Sequence, residues 1–597
     1  MAAFGPILVV FVALCGISIG QGDENRLHPH HAERELPSPH GRYPMRGSPQ
    51  TLHGRNRQPT ERAKKLDLRS RKSLEATRHA LDGKNGSDRA FLIAHMTDDD
   101  EDIVEVPTDS CDERNFPCAL GHRRYSGWCN NMQNPRFGAS HSLYQRLLPP
   151  AYDDDVNSPR SVGVSGRLLP SPRKITTTVF GLASHESNDR TIWMMQWGQF
   201  LDHDISRTPN SVETDGSFPK CPDCSTTANP LCLPIIIPAN DPHFPPSRGC
   251  MNFVRSSNGR LSLGRREQIS IISAYIDASQ VYGSDDCVAS SLRAEDDGLL
   301  KTSDDGKMLP KSPDNGFCRS DSIDCFLAGD IRVNENIALT SVQTLWLLEH
   351  NRIATELKGI NPSWDDETLG RAVSEKLDLV NTFSDPSAIV RPNFLDRIFS
   401  GMSSQSTQMC DNQFSETLRD RLFEAKDKPF SGFDLPAFNI QRGRDHGLPP
   451  YVAYRRLFNL RVPRSFDDLK TIMDPASVEG LKKTYVSVDD IDLYVGIVSE
   501  RALPGAAVGP TAARIIADQF SRLKKGDRYW YERRSALLFT IEQLNEIRKV
   551  SLAKVICTHA NIDIQRDVFL NPTVAGNGPR QCSSLPEMDL TLWKQES

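Results

Sequence analysis

The clearest pattern in the chain is helical. In NENIALTSVQTLWLLEHNRIATELKG, apolar residues recur at spacings of three and four from Ile337 through Leu357, which predicts a helix with Gly359 as its stop. The stretch RTIWMMQWGQFLDHD, Arg190 to Asp204, follows the same period. Strict apolar–polar alternation, the mark of a half-buried strand, is scarce. The pattern predicts a mainly α fold with few short strands.

Two stretches fall outside it. Residues 1–20, MAAFGPILVVFVALCGISIG, hold an apolar run from Ile7 to Ile19 that ends in small residues. The run is short for a membrane span and reads as a secretory signal peptide, so a secreted, extracellular protein is expected. Residues 21–105 are rich in Arg, His, Pro and Ser, with a basic stretch, RNRQPTERAKKLDLRSRKS, before an acidic one, TDDDEDIVEV. Such composition predicts a disordered charged propeptide, a matrix-facing tail or a solvated linker. Asn85-Gly86-Ser87 is a glycosylation sequon within it. From residue 106 to 597 the composition is globular with no repeat and no second linker, so one large domain is expected. No later stretch is long enough to span a membrane, and a net charge of −6 over 597 residues gives no support to a nucleic-acid partner.

Cysteines sharpen the compartment. There are 14, and Cys15 falls in the leader, which leaves an odd number. Several lie close together: Cys118 and Cys129; Cys221, Cys224, Cys232 and Cys250; Cys318 and Cys325; Cys557 and Cys582. In an oxidising compartment this predicts a disulfide staple, with at least one thiol free or paired to another chain. Zinc held through CPDC, Cys221 to Cys224, is the rival reading.

Three stretches carry candidate chemistry. In WGQFLDHDISRTP, Gln199 and His203 are four apart and share a helical face, and His203 is flanked by Asp202 and Asp204. An imidazole there can shuttle a proton near neutral pH. In SAYIDASQVYGS, Ser273, Tyr275, Asp277 and Ser279 alternate, so an extended segment would converge oxygens suited to a hard cation such as calcium; an ordinary loop reads the same way. In AGDIRVNENIALT, Arg332 and Glu335 precede the long helix, where a helix-start charge pair is also expected.

Taken together with CFLAGDIRVNENIALTSVQTLWLLEHNRIATELK, FNIQRGRDHGLPPY and GDRYWYE, these blocks resemble, in order, those of the animal haem peroxidases. That group includes myeloperoxidase, peroxidasin and peroxinectin, and the likeness runs from about Cys118 to the C-terminus. It implies haem b, held covalently, and calcium. His203 would exchange the proton of hydrogen peroxide, Arg332 would stabilise charge as the O–O bond breaks, and Gln199 would hold a distal water or halide. Asp202 and Glu335 match the carboxylates esterified to haem, and Arg442 matches a propionate contact. Asp204, Ser273, Tyr275, Asp277 and Ser279 match the calcium ligands. Asn336 stands where myeloperoxidase has a haem-linked methionine. The implied disulfides are Cys118–Cys129, Cys221–Cys232, Cys224–Cys250, Cys318–Cys325 and Cys557–Cys582, which leaves Cys111, Cys287 and Cys410 over.

The chain departs from the family at one place. The block that carries the proximal histidine has no counterpart, and several dozen residues are missing near 370–379. No histidine occurs between His350 and His446, and both of those match other family positions, in LLEHNR and RGRDHG. Asn439 matches the hydrogen-bond partner of the absent imidazole. Two functions are therefore expected. One is peroxide-dependent oxidation of halide or phenolic donors, including tyrosyl groups of a matrix that the enzyme would cross-link. The other is a catalytically inactive matrix component. The tripeptide KGD, Lys525 to Asp527, could mark cell adhesion but lies inside a family block, where a structural role is expected.

Overall fold

In a computed structural model of the chain, the structure describes residues 58–96, 118, 123–221, 224, 229–294, 298–312, 319, 323–360, 383–425, 428–533 and 539–594. The signal peptide and the basic start of the charged tail lie outside these residues, as do Cys111, Cys318 and the stretch near 370–379.

Helices dominate, as the pattern predicts. In chain order the main ones are α1 (Glu61–Leu81), α2 (Gly86–His95), α3 (Pro172–Val179), α4 (Ile192–Ile205), α5 (Ile337–Ile360), α6 (Phe394–Ser404), α7 (Leu435–Asp445), α8 (Pro475–Thr484), α9 (Pro510–Gly526) and α10 (Leu552–His559). Three two-stranded antiparallel ribbons complete the body: β1 (Ser142–Leu143) with β5 (Ile269–Ser270), β2 (Glu186–Thr191) with β6 (Ser406–Gln408), and β3 (Ile235–Ile236) with β4 (Cys250–Met251).

α5 is buried all round over its first three turns, from Ile337 to Leu345, and emerges after Glu349. Its buried hydroxyls are satisfied locally: Ser341 donates to the Ile337 carbonyl at 2.8 Å and Thr344 to Thr340 at 2.9 Å. Gly359 does not stop this helix, which runs on to Ile360; a single glycine costs an exposed last turn only about 1 kcal/mol. α4 packs on α5 through Trp197, Phe200 and Trp346, whose ring centroids lie about 6 Å apart. Trp193 stacks on Phe399 of α6 at 5.7 Å and donates its indole N–H to Ser403 at 3.0 Å. These aromatics fix the axis of the helix that carries His203.

The stretch expected to be disordered differs from expectation between residues 58 and 96. α1 is capped by Thr60 and buries Ala63, Leu66, Leu74 and Leu81 on one stripe, which packs on Ile269, Ile271 and Val156. Charges interleaved at every turn hid this stripe in the composition. Asn85 of the sequon is exposed and caps α2.

The disulfides Cys118–Cys129, Cys221–Cys232, Cys224–Cys250 and Cys557–Cys582 are present, and two of them consume the CPDC cysteines that a zinc site would need. Cys325 is disulfide-bonded as expected. Cys287 and Cys410, left over by the pairing that the resemblance implies, are disulfide-bonded too, and no described cysteine is free. Among the described residues, no helix is long and apolar enough to cross a membrane.

Candidate active site and cation site

His203 and Gln199 lie on one face of α4, both buried, as their spacing of four predicts. Gln199 Oε1 accepts from Asn336 Nδ2 at 2.9 Å and from Gln196 Nε2 at 3.2 Å, so the start of α5 is latched to α4 beside the histidine. Arg332 sits on a single 3₁₀ turn, Ile331–Asn334, just before α5. Asp330 caps that turn and grips the guanidinium with both oxygens, at 2.9 and 2.8 Å. Arg332 in turn donates to the carbonyls of His203 at 3.2 Å and Ser206 at 3.1 Å, at the end of α4 where carbonyls lack helical partners.

Asp330 is the residue that sequence reasoning passed over. It is fully buried, and burial alone would raise its pKa, but Arg332 and Arg207 hold it well below the usual carboxylate range. The signal was available: a buried arginine needs a carboxylate, and Asp330 is two residues away.

His203 is held neutral. Burial is the main cause, and the positive charge of Arg332 adds to it. Its Nε2 comes within 3.7 Å of Glu335 Oε2, a contact of a neutral ring rather than an ion pair, and its Nδ1 is buried without a partner. Glu335 has its pKa pushed up to about 7 by burial, with Asp202 adding to the rise and Arg332 opposing it. Asp202 is buried and accepts from the Ser206 hydroxyl at 2.9 Å. A neutral imidazole beside a fixed guanidinium can take up and return a proton while the cation stabilises developing negative charge.

Asp204 faces the other way, as a different partner requires. Its Oδ1 accepts from the Ser279 backbone N–H at 2.7 Å, and its carbonyl accepts from the Ser279 hydroxyl at 2.9 Å. Ser273 donates to Asp277 Oδ2 at 2.7 Å. The Ser273–Asp277 run is bent rather than extended, and the bend brings residues four apart into contact. Tyr275 is fully buried against Gly127 and Gly138, where a Cβ would stand 3.1 and 2.7 Å from its ring, and its hydroxyl donates to the Phe137 carbonyl at 2.6 Å.

Asp204 and Asp277 are uncompensated. Burial and the Asp277 charge raise the Asp204 pKa well above normal. Burial pushes Asp277 up to about 7, with the charge of Asp527 adding to it, although Arg123 approaches at 3.6 Å. Asp277 Oδ1 is buried without a hydrogen-bond partner. Two buried carboxylates, two hydroxyls and an orphaned oxygen fit a hard cation such as calcium. Among the described residues, no group of three His, Cys, Asp or Glu side chains is placed to hold a metal ion, so a cation here would rest on hydroxyl and carbonyl oxygens beside the two carboxylates. Asp527 itself is buried and paired with Arg123 at 2.6 Å, which gives KGD a structural role.

The surroundings of Arg442, the residue that matches a propionate contact, are different. On α7, Arg442 stacks over Phe253 at 3.9 Å and donates to the Val254 carbonyl at 2.9 Å, Ser256 at 3.0 Å and Asp445 at 3.1 Å. One turn earlier, Asn439 Nδ2 is buried without a partner. His446 Nε2 is engaged by Ser256 at 2.7 Å, and His350 by Tyr282 at 3.0 Å and the Gly298 carbonyl at 2.9 Å. Neither of these two histidines is offered to a metal. The residues beside α4 fit the haem contacts that the family resemblance implies, whereas His350 and His446 are both already engaged.

Comparison with known proteins agrees with the residue blocks. The animal haem peroxidase family matches residues 122–372 and 370–569. The human peroxidasin homolog is 34% identical over 579 residues, covering 79% of this chain and 39% of the relative. Mouse myeloperoxidase is 31% identical, covering 79% of this chain and 80% of the relative. The chain thus spans about two fifths of the length of the peroxidasin relatives it matches. Among solved structures, peroxidase A from Dictyostelium discoideum superposes with a TM-score of 0.62 at 26% identity, over 76% of this chain and all of that one. By its family match and the identity of these relatives, the chain belongs to the animal haem peroxidase family.

Proposed function

We propose that this protein is a secreted peroxidase that uses hydrogen peroxide to oxidise halide or phenolic donors, with tyrosyl groups of matrix proteins among them. The observation that carries this reading is the pairing of a neutral, buried His203 with Arg332 fixed by Asp330 and by the end of α4. His203 would hold or release a proton at a ring nitrogen, and haem, where bound, would supply the redox chemistry. Arg332 holds its positive charge beside the histidine. Calcium would be held by Asp204, Asp277, Ser273, Ser279 and the Tyr275 carbonyl, and would tie the far side of α4 to the body. Secretion rests on residues 1–20 and on the disulfides. Glycosylation at Asn85 accords with its exposure.

A specific observation favours a second reading, that of a matrix protein which keeps the scaffold without catalysis. His350 and His446 are both engaged, no histidine lies between them, and Asn439 Nδ2 is buried without a partner. The family match also falls in two segments, residues 122–372 and 370–569, which accords with a proximal segment lost near that junction. No reaction step is derived through haem on these residues. The visible absorption spectrum of the chain, purified from a haem-supplemented secreting host, separates the readings. A strong Soret band that survives acid extraction supports the peroxidase. A folded, monodisperse protein without a Soret band overturns it in favour of the scaffold.

A further inference from the structure

We propose that residues 58–96 are a permanent arm of the folded body that positions the rim of the distal site, with Asp67 as its seat and Arg207 as its joint. The arm lies outside the residues that match the family, and its helix Glu61–Leu81 is strongly polar. Its attachment is correspondingly polar and specific. Asp67 has no exposed surface, and it accepts from the Ser211 hydroxyl at 3.1 Å and from the backbone N–H groups of Val212 at 3.2 Å and Asn258 at 2.9 Å. Arg71, one turn on, pairs with the same carboxylate and with the Val212 carbonyl.

The contact then continues along the helix as a ladder of side chain to backbone hydrogen bonds. Ser70 donates to the Asn258 carbonyl at 3.0 Å, Ser73 donates to Leu261 at 2.6 Å, and Thr77 accepts from the Gly264 N–H at 2.9 Å. Residues at steps of three to four on α1 thus meet residues at steps of three on the extended segment 258–264. A solvated tail has no reason to place a carboxylate and three hydroxyls in that register, and burying them is tolerable only because each is partnered.

The arm reaches the distal site through residues 206–212. Arg207 donates to the Gln58 carbonyl at 3.3 Å, and its Nε is otherwise without a partner. Thr60, the cap of α1, meets His141 at 2.7 Å. Arg207 follows Ser206, whose carbonyl holds Arg332, and its guanidinium lies within electrostatic reach of Asp330 and Arg332. The arm therefore grips this short segment at both ends, by Gln58 at Arg207 and by Asp67 at residues 211–212. Asp67 is a positioning residue that acts through the backbone on the cradle of Arg332. The inference holds whether or not the chain binds haem.

Amide hydrogen exchange on the full chain tests it, because local opening reports the support that each segment receives. Asp67→Ala is expected to raise exchange across residues 206–212 at least tenfold, whereas Glu75→Ala, on the exposed face of α1, leaves it unchanged. Asp67→Asn keeps one acceptor oxygen and is expected to restore part of the protection. If Asp67→Ala frees residues 61–81 while 206–212 stay protected, the arm merely rests on the surface and the proposal fails. It fails equally if neither segment changes. Should Asp67→Ala not fold, Thr60→Ala disturbs only the start of the arm. In that variant, labelling of Arg207 by phenylglyoxal is expected to rise at least threefold by mass spectrometry, and unchanged labelling overturns the proposal.

Discussion

Two groups of buried carboxylates in this molecule have opposite electrostatics. Around α7, Asp445 is gripped by Arg255 at 2.6 Å and Arg442 at 3.1 Å, and Asp492 by Arg160 at 3.0 Å and Arg444 at 2.7 Å. Burial would raise both pKa values, yet the guanidiniums hold both below the ordinary range. Beside α4, Asp204 and Asp277 are buried as deeply, face one another, and are raised instead. The first group is complete as a protein. In the second, Arg123 alone approaches, at 3.6 Å from Asp277, and the raised values are the contrast on which the proposal of a bound cation rests.

The largest effect that would test this contrast comes from breaking a complete pair. Asp445→Asn leaves Arg255 and Arg442 buried without their counter-charge and is expected to cost about 3–5 kcal/mol by denaturant unfolding. Asp277→Asn, measured in chelator, is expected to be neutral or stabilising, because it removes a repulsion. A loss comparable to that of Asp445→Asn would erase the distinction between the two groups. Next in size, calcium at about 100 times its dissociation constant is expected to stabilise the chain by ~2.7 kcal/mol, and Asp277→Asn should abolish that gain.

A smaller effect concerns pH. In chelator, the folded-state pKa of Asp277 is raised to about 7. Its contribution to stability is then fully present below the ordinary aspartate value and is lost as pH rises through about 7. Calcium requires the ionised carboxylates, so its binding should tighten across the same window. Melting temperatures from pH 4 to 8, with and without calcium, should therefore diverge upward; parallel curves would contradict the cation reading. The smallest effect is expected from Ser206→Ala, which removes one hydroxyl from Asp202 and should cost about 1 kcal/mol in thermal unfolding.

Much of this was legible in the residues. The period of α5 and the spacing of Gln199 and His203 gave correct faces, because a regular helix converts sequence intervals into directions without help from the rest of the fold. The four short-range disulfides were implied by the family resemblance, not by spacing alone. That Cys287 and Cys410 are also disulfide-bonded was not, because the resemblance offered neither a partner. Nor was the arm: the apolar stripe of α1 is thin, and its hold on the body comes from Asp67, Ser70, Ser73 and Thr77, residues whose polarity argued for solvent.

What the sequence determined by itself was the mainly helical fold, the family, and the placing of His203 between two aspartates. What only the tertiary structure decided was what each of those three neighbours meets. The helix turns successive side chains about 100° apart, so Asp202, His203 and Asp204 must face three different surroundings, but it does not say which. That depends on Arg332 arriving from the turn before α5, on Ser279 and Asp277 folding back beneath α4, and on Asp330 and Asp67 finding donors many residues away. Burial and charge at a point are sums over everything packed around it, and those neighbours are assembled only by the fold.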